Sequence, residues 1–175
     1  SVALIGDKAF NNTSVEEVII PVSVNKIGAF AFANNSNLEK IFIPSHLDTF
    51  DRSWFDNCTN IKEIIVDENN IYIDSRDNCN AIIAKNNSLL FACKNTIIPD
   101  DVIRIEPLCF VNYKEIEEIN LPDSIVELPV GVFSAYTNLK KIKLPTGISE
   151  IPDLAFEYCY SLKEIDIPSS VNKIG

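Results

Sequence analysis

The chain has 175 residues, 46% of them apolar and 23% charged, with no methionine and a formal net charge of −10. That apolar share supports a buried core and excludes a disordered chain, while the negative charge argues against phosphate backbones, so no nucleic-acid partner is expected. No apolar run reaches the roughly 18–20 residues needed to cross a bilayer, and isoleucine outnumbers leucine 26 to 12, a β-branched excess that favours strands.

The predicted elements recur on a fixed beat. An Ile5-Gly6 pair and Phe10 precede a first strand over 17–20, which Pro21 closes. Ile27-Gly28 and Phe32 lead to a second over 40–43, closed by Pro44. Phe55 leads to a third over 63–66, where Val66-Asp67 replaces the aliphatic-proline pair. After an irregular stretch, further strands end at Pro99, Pro122, Pro145 and Pro168, with Phe110, Phe133 and Phe156 between them. These prolines lie 23 residues apart except for one gap of 55, and the phenylalanines share that register after a first interval of 22.

Aligned, the copies read Leu-x-x-Ile-x-Ile-Pro-x-x-Val-x-x-Ile-(Gly)-x-x-Ala-Phe-x-x-(Cys). Ile-x-Ile has the period of a strand, and the following proline ends ladder bonding. Later apolar residues come every third or fourth position, which suits short turns and a helical turn around Ala-Phe. One unit cannot bury its own apolar side, whereas stacked units can. The expected fold is a right-handed repeat solenoid with a parallel sheet, about 34 Å long from seven rows at roughly 4.8 Å each. A β-sandwich does not account for identical residues at fixed offsets.

The unit resembles the leucine-rich repeat of the BspA-like bacterial surface type, which carries Ile-Pro, Ile-Gly and Ala-Phe-x-x-Cys at these offsets. The resemblance spans residues 1–175 as a single leucine-rich-repeat domain. It implies a secreted or surface-attached protein that binds partners and is not an enzyme. Departures are Asp51, Glu106, Pro129 and Pro152 at the glycine slot, and Trp54 or Cys109 at the alanine slot. The chain begins and ends mid-unit, at Ile5-Gly6 and Ile174-Gly175, so a further coil on each side is expected.

Residues 67–98 break the pattern. Ala81 to Ala84 and Leu89 to Ala92, around the turn residues Lys85 to Ser88, predict a β-hairpin. Its pieces Ser75-Arg76-Asp77-x-Cys79-Asn80-Ala81-Ile82-Ile83 and Ala92-Cys93-Lys94-Asn95-Thr96 are similar to an insert of the same family. Two readings stand: a rigid projecting elaboration, or a recognition hairpin. Asp67, Asn69, Asp74, Asp77 and Asn78 supply oxygens without the spacing of a calcium loop, so no metal and no cofactor are expected.

Cys58, Cys109 and Cys159 fall at inward positions several rows apart and are expected to be buried thiols. Cys79 and Cys93 flank the hairpin symmetrically, which makes a disulfide between them an expectation to test. His46, the sole histidine, lies just after a strand and far around the coil from Cys58, so no nucleophile–base pair and no catalytic residue are predicted. Asn-x-Ser/Thr acceptors occur at Asn11, Asn12, Asn34, Asn57 and Asn86.

Two outward columns remain. Glu17, Lys40, Glu63, Asn95, Glu118, Lys141 and Glu164 alternate in charge, which ladder attraction explains. Ile19, Phe42, Ile65 and Ile97 form an apolar run ahead of Asn120, Lys143 and Asp166. β-propensity alone accounts for such residues in strands. The functional reading makes Ile19, Phe42, Ile65 and Ile97, rimmed by Lys40 and Glu63, an anchor strip for a protein or glycan partner. An inert spacer displaying another domain is the alternative.

Overall fold

The computed structural model describes residues 1–175 and is a parallel-strand solenoid of about seven turns. Leu4–Ile5 (β1), Glu17–Ile19 (β2), Lys26–Ile27 (β3), Lys40–Ile43 (β4) and Glu63–Val66 (β5) open the chain. β2, β4 and β5 pair in parallel and in register as one sheet, with Val18, Ile41 and Ile64 buried beneath it. β1 and β3 pair in a second column farther along each turn. The strands stop where the prolines fall. Where Asp67 replaces proline, its N–H donates to the Ile43 carbonyl at 2.9 Å, a bond proline cannot make.

The irregular stretch holds Ile73–Asp74 (β6), Ala81–Ala84 (β7) and Ser88–Ala92 (β8), followed by Arg104–Ile105 (β9). Their sheet order is β6-β7-β8-β9, with the β7–β8 hairpin antiparallel and β8 parallel to β9. Ile73 continues the second column by the repeat offset from Ile27 through Phe50. The hairpin is therefore spliced into that column as two extra strands. It does not project, which corrects the expectation of a projecting element. Ile82 and Phe91 face the N-terminal core, while Ala81, Ile83, Leu89 and Ala92 face the C-terminal core. A strand sends alternate side chains to opposite faces, so one hairpin seals two cores.

Glu118–Asn120 (β10), Lys141–Lys143 (β11), Glu150–Ile151 (β12) and Lys173–Ile174 (β13) complete the chain, pairing as β10–β11 and β12–β13. Of the seven expected rows, those at 95–98 and 164–167 form no ladder. The first is held sideways by the insertion: the Ile97 N–H donates to the Cys79 carbonyl at 3.0 Å, and the Thr96 hydroxyl donates to the Asn80 carbonyl at 2.6 Å.

Phenylalanines form the spine. Phe10, Phe32 and Phe55 stack at 5.4 and 5.6 Å; Phe133 stacks on Phe156 at 5.9 Å and meets Phe110 tilted at 5.7 Å. Phe91 closes the first stack, 6.2 Å from Phe55. The expected helical turn forms in one row only, Arg52–Phe55, where the Asp51 carboxylate caps the Ser53 N–H at 2.9 Å. Other Ala-Phe turns are bracketed by two left-handed residues, Lys8 and Asn12, Phe30 and Asn34, or Gly131 and Ala135, with φ of 55° to 64°. Asparagine tolerates that region best among non-glycine residues, which explains Asn12, Asn34 and Asn57 there.

The glycine slot also finds its reason. A Cβ on Gly28 would overlap Asp7, and one on Gly175 would overlap Asp153. The preceding row carries aspartate only in those cases. Where it carries Ala29, Pro107 or Val130 instead, the slot holds Asp51, Pro129 or Pro152.

Candidate recognition face

Parallel pairing brings Ile19, Phe42 and Ile65 directly abreast on the open side of β2, β4 and β5. Ile19 is 62% exposed, and Phe42 and Ile65 are half-buried. Beside them Lys40 Nζ lies 3.8 Å from the Glu17 carboxylate and 3.3 Å from that of Glu63, a charge ladder along the sheet. Such exposed pairs contribute about 0–1 kcal/mol each, so their effect is to fix side-chain positions more than to hold the fold. At the sheet's lower margin Lys62 meets Glu39 at 2.6 Å. The hydrogen bond and charge of Lys62 hold the Glu39 carboxyl below its usual range.

Ile97 does not join the strip. It is 74% exposed, but its row leaves the ladder, so the expected four-row run has three rows. Polar side chains of the insertion finish the edge of β5. The Val66 N–H donates to Ser75 Oγ at 2.9 Å, and the Ile64 N–H donates to Asn80 Oδ1 at 3.4 Å. A strand edge satisfied in this way no longer invites a fourth strand. Ile97 instead lines a separate cleft of about 340 Å³ with Ile98, Tyr113, Ile116 and Glu118.

The expected disulfide is not formed. Cys79 and Cys93 are free and buried, and they belong to different cores, because the hairpin turns them to opposite sides. The Cys93 thiol donates to the Asn80 carbonyl at 3.2 Å. Burial pushes the Cys58 and Cys79 thiols up to about 11 and raises those of Cys93 and Cys109. Cys58 and Cys159 each donate to the phenylalanine carbonyl of the row before, Phe32 at 3.2 Å and Phe133 at 3.1 Å. His46 is exposed, with Nε2 2.7 Å from the Val24 carbonyl oxygen, remote from Cys58.

Several structural asparagines escaped the sequence reading. Asn35 takes the cysteine slot and donates to the carbonyls of Phe10 and Phe32 at 2.8 and 2.6 Å. Asn112 spans the insertion, donating to Phe55 while its Oδ1 accepts the Asn57 N–H at 2.9 Å. The signal was available at Asn35, since a buried repeat slot holding an amide must satisfy it. Among the oxygens weighed for calcium, Asp67 accepts from the Asn69 N–H at 2.9 Å, and Asp74 is engaged by Arg76 at 2.7 Å and Lys85 at 2.9 Å.

Comparison with known proteins agrees with this architecture. The family described as BspA type Leucine rich repeat region (6 copies) matches residues 1–87 and 86–175. The chain belongs to that family. Among solved structures, the pneumococcal vaccine antigen PcpA is 22% identical with a TM-score of 0.72, over 98% of this chain and 50% of that one. A leucine rich cell surface protein from Faecalibacterium prausnitzii is 26% identical with a TM-score of 0.57, over 99% of this chain and 41% of that one. A leucine-rich repeat protein from Eubacterium ventriosum is 18% identical with a TM-score of 0.54, over 97% of this chain and 65% of that one. The chain thus spans between 41% and 65% of their lengths. No curated protein matches it.

Proposed function

We propose that this BspA-type repeat domain is a non-enzymatic recognition module displayed outside the cell, binding a protein or glycan through the strip Ile19, Phe42 and Ile65. The observation that carries the reading is the in-register apolar triad, with an aromatic at its centre and the Glu17–Lys40–Glu63 ladder at its side. An apolar anchor framed by charge is the arrangement that concentrates binding energy at interfaces. The likeness to a leucine rich cell surface protein of F. prausnitzii supports the location.

The test is a binding screen of this chain against immobilised host matrix proteins and glycans, repeated with Phe42→Asp and Ile65→Lys. Partner binding weakened by about tenfold or more in both variants, with the fold retained by circular dichroism, is the expected result. Unchanged binding places the contact elsewhere. Absence of any ligand favours the spacer reading.

A further inference from the structure

The insertion adds two strands, β7 and β8, to the second column and none to the column of β2, β4 and β5. The solenoid is thickened on one side and opens on the other. The cleft of about 340 Å³ lies at that opening, between residues 94–98 and β10. In two other rows the row end bonds forward: the Ile20 N–H donates to the Phe42 carbonyl at 3.1 Å, and the Leu121 N–H to that of Lys143 at 3.2 Å. The equivalent Ile98 N–H has no backbone acceptor.

β10 pairs with β11 alone. Glu117 and Leu121 bond to β11, the Lys141 N–H donating to the Glu117 carbonyl and the Leu121 N–H to that of Lys143, both at 3.2 Å. Residues of a parallel ladder alternate, so Glu118 and Asn120 turn their N–H and C=O groups away from β11 and into the cleft. The cleft is lined by Ile98, Phe110 and Ile116 together with the charged Lys94, Asp100 and Glu118. A second hollow of about 490 Å³ shares Lys94 and Tyr113 with it and continues beside residues 111–115. The groove therefore follows one row lengthwise, and Lys94, common to both parts, makes no ion pair.

We propose that this cleft takes an extended peptide segment of a partner protein, which adds as a strand to the free edge of β10. Backbone pairing uses Glu118 and Asn120; alternate aliphatic side chains of the peptide reach Ile98 and Ile116, and a peptide carboxylate reaches Lys94. An unpaired strand edge along a cleft suits a polypeptide better than a compact ligand, because only an extended backbone meets its alternating donors and acceptors. The proposal rests on the recognition reading but uses a surface separate from the Ile19–Phe42–Ile65 strip.

The test uses the full chain and a fluorescein-labelled synthetic peptide copying residues 38–45, Leu-Glu-Lys-Ile-Phe-Ile-Pro-Ser. Binding is read by anisotropy, and amide hydrogen exchange is followed at residues 118–120. Strand addition predicts slowed exchange at Glu118 and Asn120, with Ile119 already protected by β11. N-methylation of one alternate set of peptide amides abolishes binding, and methylation of the other set is tolerated. Asn120→Pro removes an edge N–H without touching the β11 ladder and weakens binding by about tenfold. If that variant fails to fold, the methylated peptides carry the test alone. The proposal is overturned by unchanged exchange at Glu118 and Asn120, by equal binding of both methylated peptides, or by no saturable binding up to about 1 mM. Phe42→Asp leaves peptide binding unchanged, so failure of the strip and failure of the cleft are read separately.

Discussion

Phe91 offers the sharpest check on the idea that the hairpin is a partition between two cores. Its ring is fully buried, with centroids 6.2 Å from Phe55 and 5.7 Å from Phe50. Phe91→Ala removes a whole aromatic ring from a packed interior and is expected to cost about 3–5 kcal/mol. The two ring pairs account for about 1–3 kcal/mol of that. Against a total stability of about 5–15 kcal/mol, this is a large loss. Urea unfolding followed by far-UV circular dichroism measures it. Because repeat arrays couple through nearest neighbours, weakening the partition also lowers the apparent m-value or splits the transition into two steps. Ile97→Ala, on an exposed side chain nearby, stays within about 0.5 kcal/mol. A Phe91→Ala loss below about 1 kcal/mol, with one unchanged transition, would refute the partition and return the hairpin to the surface.

Three further outcomes are expected. Gly28→Ala destabilises by about 1–3 kcal/mol in the same urea assay, since its Cβ overlaps Asp7, whereas Gly6→Ala, with nothing within 4 Å, is close to neutral. Alkylation of the native chain at pH 8 leaves Cys58, Cys79, Cys93 and Cys109 slow to react and labels the less buried Cys159 first; all five label after unfolding without reductant, by mass spectrometry. Burial raises the Asp74 carboxyl, but hydrogen bonds from Arg76 and Lys85 outweigh it and set the value below 3.8. The Asp74 contribution is therefore full above that unfolded value and is lost as pH falls through the lower folded one. Asp74→Asn lowers the urea midpoint near neutral pH, and the difference from the parent shrinks in acid; a gap that stays constant down to pH about 2 contradicts the assignment.

The repeat was legible because its markers are local. Ile-x-Ile, the closing proline and the stacked phenylalanine each state a physical need within one turn, and copying that turn copies the need. The same logic placed Ile19, Phe42 and Ile65 abreast and put the hairpin at the right residues. Its destination was not legible. Whether Ala81 to Ala92 projects or intercalates depends on whether two half-cores require a cover, and no local pattern states that. The pairing of Cys79 with Cys93 failed for the same reason, since symmetric flanks in sequence turn to opposite faces of one sheet.

By itself, then, the sequence determined a stacked-turn architecture, the register of β2, β4 and β5 and the burial of Cys58 and Cys109, though not of the half-buried Cys159, because each follows from a period and a chemical type. The tertiary structure decided where that architecture breaks. Two strands added to the second column have no counterpart in the column of β2, β4 and β5, so row 95–98 is pulled toward Cys79 and Asn80, Ile97 leaves the strip, and the edge of β10 is left without a partner. A mismatch in strand number between two faces of one solenoid is a property of the assembled coil, and no single turn contains it.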